Sequence, residues 1–284
     1  MTEIEAALKK IIDVPTLPYT ISQVLYLLDL PDCSVNELAD VIAADPPAAA
    51  KVLKIANSPY YGFKQTIGTI NQAVTILGFG TLKNALLTMS TFDQFGNKCS
   101  GLDLPGLWLH SLATAAAGRL LAEHLGFTYG DKIYSAGLLH DLGRVIIAKY
   151  VPHAMLRAQD LSSSRRIPLL TAELHTLGAS HADVGAWLLN RWKLPTDIIE
   201  AVRFHHQPLR ATENFDMTAM VYLANILAHQ SRLGNSGDKD NLTVDARVSS
   251  YFKLSEEDWF GLRNKLAAKN LDIITTSGVS SVAA

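Results

Sequence analysis

The chain has 284 residues, of which 48% are hydrophobic and 18% charged, and 25 basic against 27 acidic residues give a net charge of −2. This composition supports a sizeable core and excludes an intrinsically disordered chain. The near-neutral balance provides no basic surface for general nucleic-acid binding. Two cysteines without CxxC spacing indicate neither a disulfide framework nor a thiolate zinc site. Because no signal peptide or stretch of membrane-spanning length is present, we expect a cytoplasmic protein.

Apolar residues recur every three or four positions along the first hundred residues and predict helices joined by short connections. Ser34 and Glu37 have the spacing of a capping box, which starts a helix. Asp45 precedes two prolines that suit the first positions of another helix, where a missing amide donor costs little. Gly78 is predicted to end a helix. The predicted helices of this half cover 21–30, 34–45, 48–57, 70–78 and 81–92.

A polar, glycine-containing stretch at 95–106 separates this half from a second set of helices. Ser180 and Thr196 are predicted N-caps, and Ser255 with Asp258 gives a further capping box before a terminal helix. The stretch 234–241 is predicted to be a flexible loop and 275–284 a disordered tail. The predicted helices here include 108–125, 131–150, 181–192, 197–206 and 216–233. We therefore expect an all-α, multi-helix bundle.

All nine histidines fall between positions 110 and 229. Four of them lie on separate predicted helices at apolar or small positions, and one of these is followed directly by an aspartate. A helical bundle can bring such side chains together at one interior point. Imidazole and carboxylate ligands suit a divalent ion such as iron, manganese, zinc or nickel. These candidate ligands are His110, His140, Asp141, His181 and His205.

His140 and Asp141 are predicted to lie inside one buried helix. Neighbouring helical residues point about 100° apart, so the two side chains do not share a face. They could bind one ion between their directions or one ion on either side. A hydrogen-bonded structural pair is the alternative.

Residues 12–230 resemble the HDOD (HD-related output domain) family of bacteria. The first half carries a DP before a helix, the stretch LKIANSPYYG, and the run I-x-x-I-x-x-A-V-x-x-LG. The second half is similar to the wider HD superfamily of metal-dependent phosphohydrolases, through WLHS, LLHDLGR, SHADVG and RFHHQP. The resemblance implies an N-terminal helical subdomain (1–100) packed on an HD-like helical subdomain (101–234), followed by a loop, helix and tail (235–284).

The same resemblance implies a ligand set for divalent ions. The general HD positions correspond to His110, His140 and Asp141, and the subgroup that cleaves cyclic di-GMP adds His181, His205 and His206. Three departures stand against catalysis. Asn225 matches the place of the final aspartate and carries no negative charge, Arg144 replaces a lysine, and HHQPLRA lacks the GYP triplet.

Two functions follow from these observations. The first is a signalling module without catalytic residues, which binds other signalling proteins; SPYYGF (58–63) is either a contact surface or a packed aromatic loop. The second is a metal-dependent phosphohydrolase acting on a nucleotide or cyclic dinucleotide, with Arg144 and Lys149 meeting phosphate. Arg144 could instead form a surface ion pair.

Binding to a membrane or to nucleic acid is not expected. The stretch 34–56 loosely resembles a helix-turn-helix, but its second helix offers only Lys51 and Lys54 for contact with DNA. Base readout needs outward-pointing Arg, Asn or Gln side chains.

Overall fold

A computed structural model describes residues 18–57, 66–95, 101–238 and 243–268 of the chain. Over these residues the protein is helical and contains no β-strand, which confirms the all-α prediction. Within the same ranges, none of the helices is long and apolar enough to cross a bilayer. The helices are α1 (Tyr19–Leu28), α2 (Val35–Ala43), α3 (Pro46–Ala56), α4 (Ile70–Phe95), α5 (Leu104–Leu125), α6 (Gly130–Leu139), α7 (Leu142–Tyr150), α8 (Pro152–Arg165), α9 (Leu169–Leu177), α10 (His181–Arg191), α11 (Thr196–Phe204), α12 (Phe215–Gln230), α13 (Ala246–Tyr251) and α14 (Glu256–Ala268).

The chain divides into two compact units, one built on Pro15–Gln94 and the other on Phe95–Ile273. The first unit contains α1 to α3 and nearly all of α4. Ser34 accepts from the backbone of Glu37 and forms the predicted capping box, and Asp45 caps α3 through the amide of Ala48. At Gly78 the backbone leaves the helical region (φ 70°, ψ 163°), which separates the two predicted helices inside α4.

Some sequence-based expectations concern segments outside the described residues. These are the aromatic stretch 58–63, the tail 275–284, residues 96–100 of the separating stretch, and the end of the predicted loop at 239–241.

The second unit is organised around α5, which packs against α6 and α12 and carries α14 on another side. Small residues permit this close packing. A Cβ atom added at Gly137 on α6 would lie 3.0 Å from Cα of Ala115 on α5, and Gly118 is similarly close to Ile133. The alanine-rich sequence of α5 therefore brings the surrounding helices near to its axis.

The N-caps predicted in this unit are observed with one exception. Ser180 forms a capping box with the aspartate three residues later, as does Ser255, in agreement with the prediction. Thr196 was predicted to be an N-cap but is the first residue of α11 itself. Pro195 takes the cap position, since its extended backbone (ψ 143°) leads directly into the helix.

The predicted helix 131–150 is broken at the His140–Asp141 pair. His140 follows the last residue of α6, and Asp141 (φ −98°, ψ 6°) precedes the first residue of α7. The expectation that both side chains lie inside one helix is therefore wrong. The break redirects the chain so that α7 meets α10, where Gly143 comes so close to His181 that an added Cβ would overlap its carbonyl oxygen.

The segment after α12 is packed rather than flexible over its described part, 234–238. The amide of Asn235 donates to the carbonyl oxygen of Gly106 at 2.8 Å, and Ser236 is only 3% exposed. A side chain at Gly234 (φ 76°) would overlap the backbone of α5, so this crossing requires glycine. The polar composition suggested a loop but carried no sign of these contacts.

Candidate metal centre

The six candidate ligands lie together in the interior of the second unit. They come from four places: α5, the break between α6 and α7, the first residue of α10, and the end of α11. The structure arranges them as two groups whose ligand atoms lie within 4.8 Å of one another. The His110 group consists of His110, His140 and Asp141, and the His206 group consists of Asp141, His181, His205 and His206.

Asp141 belongs to both groups and presents one carboxylate oxygen to each. Its Oδ2 lies 3.2 Å from Nε2 of His140 and 4.0 Å from Nε2 of His110. Its Oδ1 lies 3.2 Å from Nε2 of His181 and 4.0 Å from Nε2 of His205. The position of Asp141 between two helices, outside regular helical geometry, allows it to face both sides.

Three imidazole rings are held so that Nε2 points into the centre. In each ring Nδ1 bonds a buried acceptor, which fixes the tautomer and leaves Nε2 for a ligand. The pairs are His140 with the carbonyl oxygen of Gly137 at 2.6 Å, His205 with that of Val202 at 2.7 Å, and His181 with Oε2 of Glu173 at 2.6 Å.

Glu173 is a functional residue that the sequence analysis missed. It lies on α9 and is fully buried, and it also accepts the backbone N–H of His181 at 2.9 Å. Its Oε2 thus receives two hydrogen bonds from one residue. An acidic side chain among the apolar positions of LLTAELHTL was the available signal, since buried carboxylates require a partner.

Arg144 lies inside the centre rather than on the surface. It is 0% exposed, its Nε donates to Oδ1 of Asp141 at 2.8 Å, and its Nη2 donates to Oδ2 of Asp238 at 2.8 Å. The ion pair considered from sequence therefore exists, but it is buried. Lys149 is not brought to the centre: it is exposed at the end of α7, with Nζ 5.6 Å from the ring centroid of Tyr150.

Burial keeps most of the imidazoles neutral. Loss of hydration, reinforced by His140, lowers the pKa of His110 to about 4. Loss of hydration, reinforced by His181, lowers the pKa of His206 to about 3. Loss of hydration, reinforced by His206, holds the pKa of His205 well below its ordinary value. Neutral imidazole is the form that binds a metal ion.

The charged members hold one another in the ionised state. Burial opposes ionisation of Asp141, but Arg144 and His140 bring the pKa of this carboxyl well below its ordinary value. Burial and Arg144 likewise act against protonation of His181, yet Glu173 and Asp141 raise its pKa to about 9. Burial also opposes the charge of Arg144, whose pKa the neighbouring carboxylates nevertheless raise.

Asn225 occupies the place next to His110 that the resemblance assigns to a carboxylate. Its Oδ1 lies 2.9 Å from Nε2 of His110, and Oγ1 of Thr114 is 3.5 Å from the same nitrogen. Asn225 is 3% exposed. The centre thus has an uncharged amide where a second carboxylate would add negative charge.

The donor set fits a divalent metal ion. Nε2 of His140 and Oδ2 of Asp141 are buried and have no hydrogen-bond partner. Buried polar atoms without partners are costly, and a cation bound between the imidazole nitrogen and the carboxylate oxygen would satisfy both. Two imidazoles and one carboxylate are the ligands that iron, manganese and zinc accept.

With this geometry established, comparison with known proteins gives the family. The model of the HDOD domain matches residues 14–208. The chain belongs to the HDOD family. The match includes the six candidate ligands, whereas Asn225 and Asp238 lie beyond it. The matched range also spans the DP, LKIANSPYYG and LLHDLGR motifs.

The chain is similar to three other proteins over different shares of their lengths. A crystal structure of an HDOD domain protein with unknown function from Geobacter sulfurreducens is 28% identical, covers 98% of this chain and 97% of its own, and has a TM-score of 0.83. An uncharacterized protein of Treponema pallidum is 26% identical over 87% of this chain and 48% of its own length. Ribonuclease Y of Aquifex aeolicus is 31% identical over 57% of this chain and 23% of its own. The chain therefore spans about half or less of these curated relatives.

Proposed function

We propose that this HDOD protein is a regulatory signal-transduction module that holds a divalent ion without hydrolysing a phosphoester. The observation that carries the proposal is the contact between His110 and Asn225. The amide oxygen lies 2.9 Å from the imidazole nitrogen. The resemblance to HD phosphohydrolases matches this residue to an aspartate. An amide oxygen can bind a metal ion, but it adds no negative charge to balance a second ion or to strengthen a bridging hydroxide.

Burial of the centre supports the same proposal. His140, His181 and His205 are 0% exposed, and His110 and Asp141 are each 1% exposed. His206 alone among the candidate ligands is half-buried. In a phosphohydrolase the phosphoryl group of the substrate must reach the metal ion. Because the candidate ligands are almost entirely buried, little of the centre is open to a substrate from solvent.

In this proposal the ion is a structural part of the module. His110, His140 and Asp141 would hold it, and a bound divalent ion supplies positive charge that offsets the carboxylate. Asp141 accepts from Arg144, and Gly137 fixes the ring of His140 through its carbonyl oxygen. Since Asp141 joins α6 to α7 and contacts residues of α5 and α10, ion binding would tie four helices together. We propose signalling proteins as partners and the cytoplasm as the location.

A specific observation favours a second candidate, a metal-dependent phosphohydrolase. Asp141 is shared by two histidine-containing groups, and two ions bridged by one carboxylate are typical of enzymes that cleave phosphoesters. The name of the Aquifex relative, ribonuclease Y, also denotes cleavage of a phosphoester. In this second candidate function the substrate of the present chain is a nucleotide or cyclic dinucleotide.

One experiment separates the two candidates. Purified full-length protein is analysed for iron, manganese, zinc and nickel, then loaded with Mn²⁺ and incubated with bis(4-nitrophenyl) phosphate and with cyclic di-GMP. The His140→Ala variant is the matched control. We expect the unaltered protein to contain metal and the variant to have lost it. We expect the two proteins to release the same amount of hydrolysis product from each substrate. Turnover that depends on His140 would establish the phosphohydrolase instead.

A further inference from the structure

Arg144 lies against the atoms by which the His206 group would bind an ion. Its Nε donates to Oδ1 of Asp141, and its Nη2 is 3.5 Å from Nε2 of His181. Oδ1 of Asp141 and Nε2 of His181 both belong to the His206 group. A guanidinium keeps its charge throughout the physiological pH range. A divalent ion in this group would therefore lie beside a fixed positive charge and compete with it for the same carboxylate oxygen.

The His110 group is free of this competition. The hydrogen bond from Arg144 reaches Oδ1 of Asp141, while Oδ2 faces His140 and has no hydrogen-bond partner. The two sides of the one carboxylate are thus different: Oδ1 has a cation beside it, and Oδ2 does not. An incoming ion would find unsatisfied ligand atoms only on the Oδ2 side.

Packing holds the guanidinium in this position. Nη2 of Arg144 donates to Asp238 at 2.8 Å, and the backbone carbonyl of Asp238 lies 3.0 Å from Nε2 of His229. The amide of Asn235 fixes the same segment to α5 at Gly106. Arg144 is 0% exposed, so leaving this position would break these contacts.

We propose that Arg144 takes the place of a second metal ion, so that the centre binds one ion, in the His110 group. The side chain supplies permanently the positive charge that a second ion would bring to Asp141 and the surrounding histidines. Arg144 is then a residue that determines the number of ions bound. The proposal rests on the metal centre put forward above, and it concerns ion number, whatever the outcome of the hydrolysis assay.

Titration of the full chain with Mn²⁺ tests this role. Calorimetry gives the number of ions per chain, and electron paramagnetic resonance distinguishes an isolated Mn²⁺ from a spin-coupled pair. We expect one uncoupled ion in the unaltered protein. Arg144→Met removes the charge from a side chain of similar length and should raise the number to two, with a coupled signal. Arg144→Lys retains a positive charge and should remain at one.

A second variant keeps the test decisive if Arg144→Met fails to fold. The substitution leaves Asp238 buried without its partner, so Arg144→Met combined with Asp238→Asn removes both charges together and should also bind two ions. Two ions in the unaltered protein, or one ion in both charge-removing variants, would overturn the role of Arg144 while leaving the metal centre in place. No ion in any of these proteins would overturn the metal centre itself and the role of Arg144 with it.

Discussion

The carboxylate of Glu173 accepts two hydrogen bonds from His181, one from Nδ1 at 2.6 Å and one from the backbone N–H at 2.9 Å. Neither side chain is exposed. The pair fixes the start of α10 against α9 and directs Nε2 of His181 toward Asp141. Because both residues are fully buried, loss of the charge on either side leaves the other without compensation.

We expect Glu173→Gln to destabilise the protein by about 2 kcal/mol, because an amide accepts weaker hydrogen bonds and does not balance a protonated His181. Urea unfolding followed by circular dichroism measures the change. Glu123→Gln alters an exposed acidic residue of α5 and is the control, for which we expect a change below about 0.5 kcal/mol. Equal stability of the two variants would contradict the structural role of the pair.

The sequence predicts the members of the centre better than the residues that support them. His110, His140 and His181 are separated by long stretches, but their motifs identified them, and the structure brings them together. Glu173 and Asp238 belong to no such motif. Asp238 lies in a polar segment that reads as a loop, and its burial depends on the close crossing at Gly234. Such a tertiary contact has no local pattern in the sequence.

The break between α6 and α7 was also hidden from sequence. The apolar periodicity of 131–150 continues through it, because His140 and Asp141 are buried like their neighbours. The two helices separate where α7 approaches α10, and this approach requires glycine at position 143.

Gly143→Ala tests this approach. A methyl group at Gly143 would overlap the carbonyl oxygen of His181, and α7 or α10 would have to move. We expect a loss of about 3 kcal/mol in the free energy of unfolding. Gly261→Ala is the matched control: an added Cβ meets nothing within 4 Å there, and alanine in α14 should stabilise the protein by up to about 1 kcal/mol. Destabilisation by both substitutions to the same extent would show that backbone contact at Gly143 is not the cause.

Asn225→Asp should strengthen metal binding at the His110 group, since it restores a carboxylate beside His110. An affinity for Mn²⁺ about tenfold higher corresponds to about 1.4 kcal/mol of additional stabilisation at a fixed excess of Mn²⁺. In the presence of chelator the same variant should melt at a lower temperature, because the new charge is buried without a partner. Thermal unfolding with Mn²⁺ and with chelator measures both effects.

The control for that substitution is Asn190→Asp, which adds the same charge at an exposed position of α10. It should leave the response to Mn²⁺ unchanged. An equal response in the two variants would indicate nonspecific attraction of the ion, and the place of Asn225 in the centre would lose its support.

Glu200 gives the fold a dependence on pH that is separate from the metal centre. Its carboxylate on α11 accepts hydrogen bonds from the backbone amides of Thr212, Glu213 and Asn214, and so holds the turn that leads into α12. Burial acts to raise the pKa of Glu200, but these hydrogen bonds lower it below the ordinary value of 4.5. A carboxyl whose pKa is lower in the folded state contributes stability above its unfolded pKa and loses it as the pH falls through the folded value.

We therefore expect Glu200→Gln to destabilise the protein by about 1 kcal/mol at neutral pH, a modest amount because solvent reaches part of the group. The difference from the unaltered protein should stay constant down to about pH 5. It should begin to shrink as the pH falls through 4.5, where the unfolded carboxyl takes up a proton, and should vanish once the pH passes the lower pKa of the folded carboxyl. Urea unfolding at a series of pH values measures this. Glu213→Gln, at an exposed neighbour, should show no such trend. A difference between Glu200→Gln and the unaltered protein that persisted undiminished well below pH 4 would mean that the side chain acts through its shape and not through its charge.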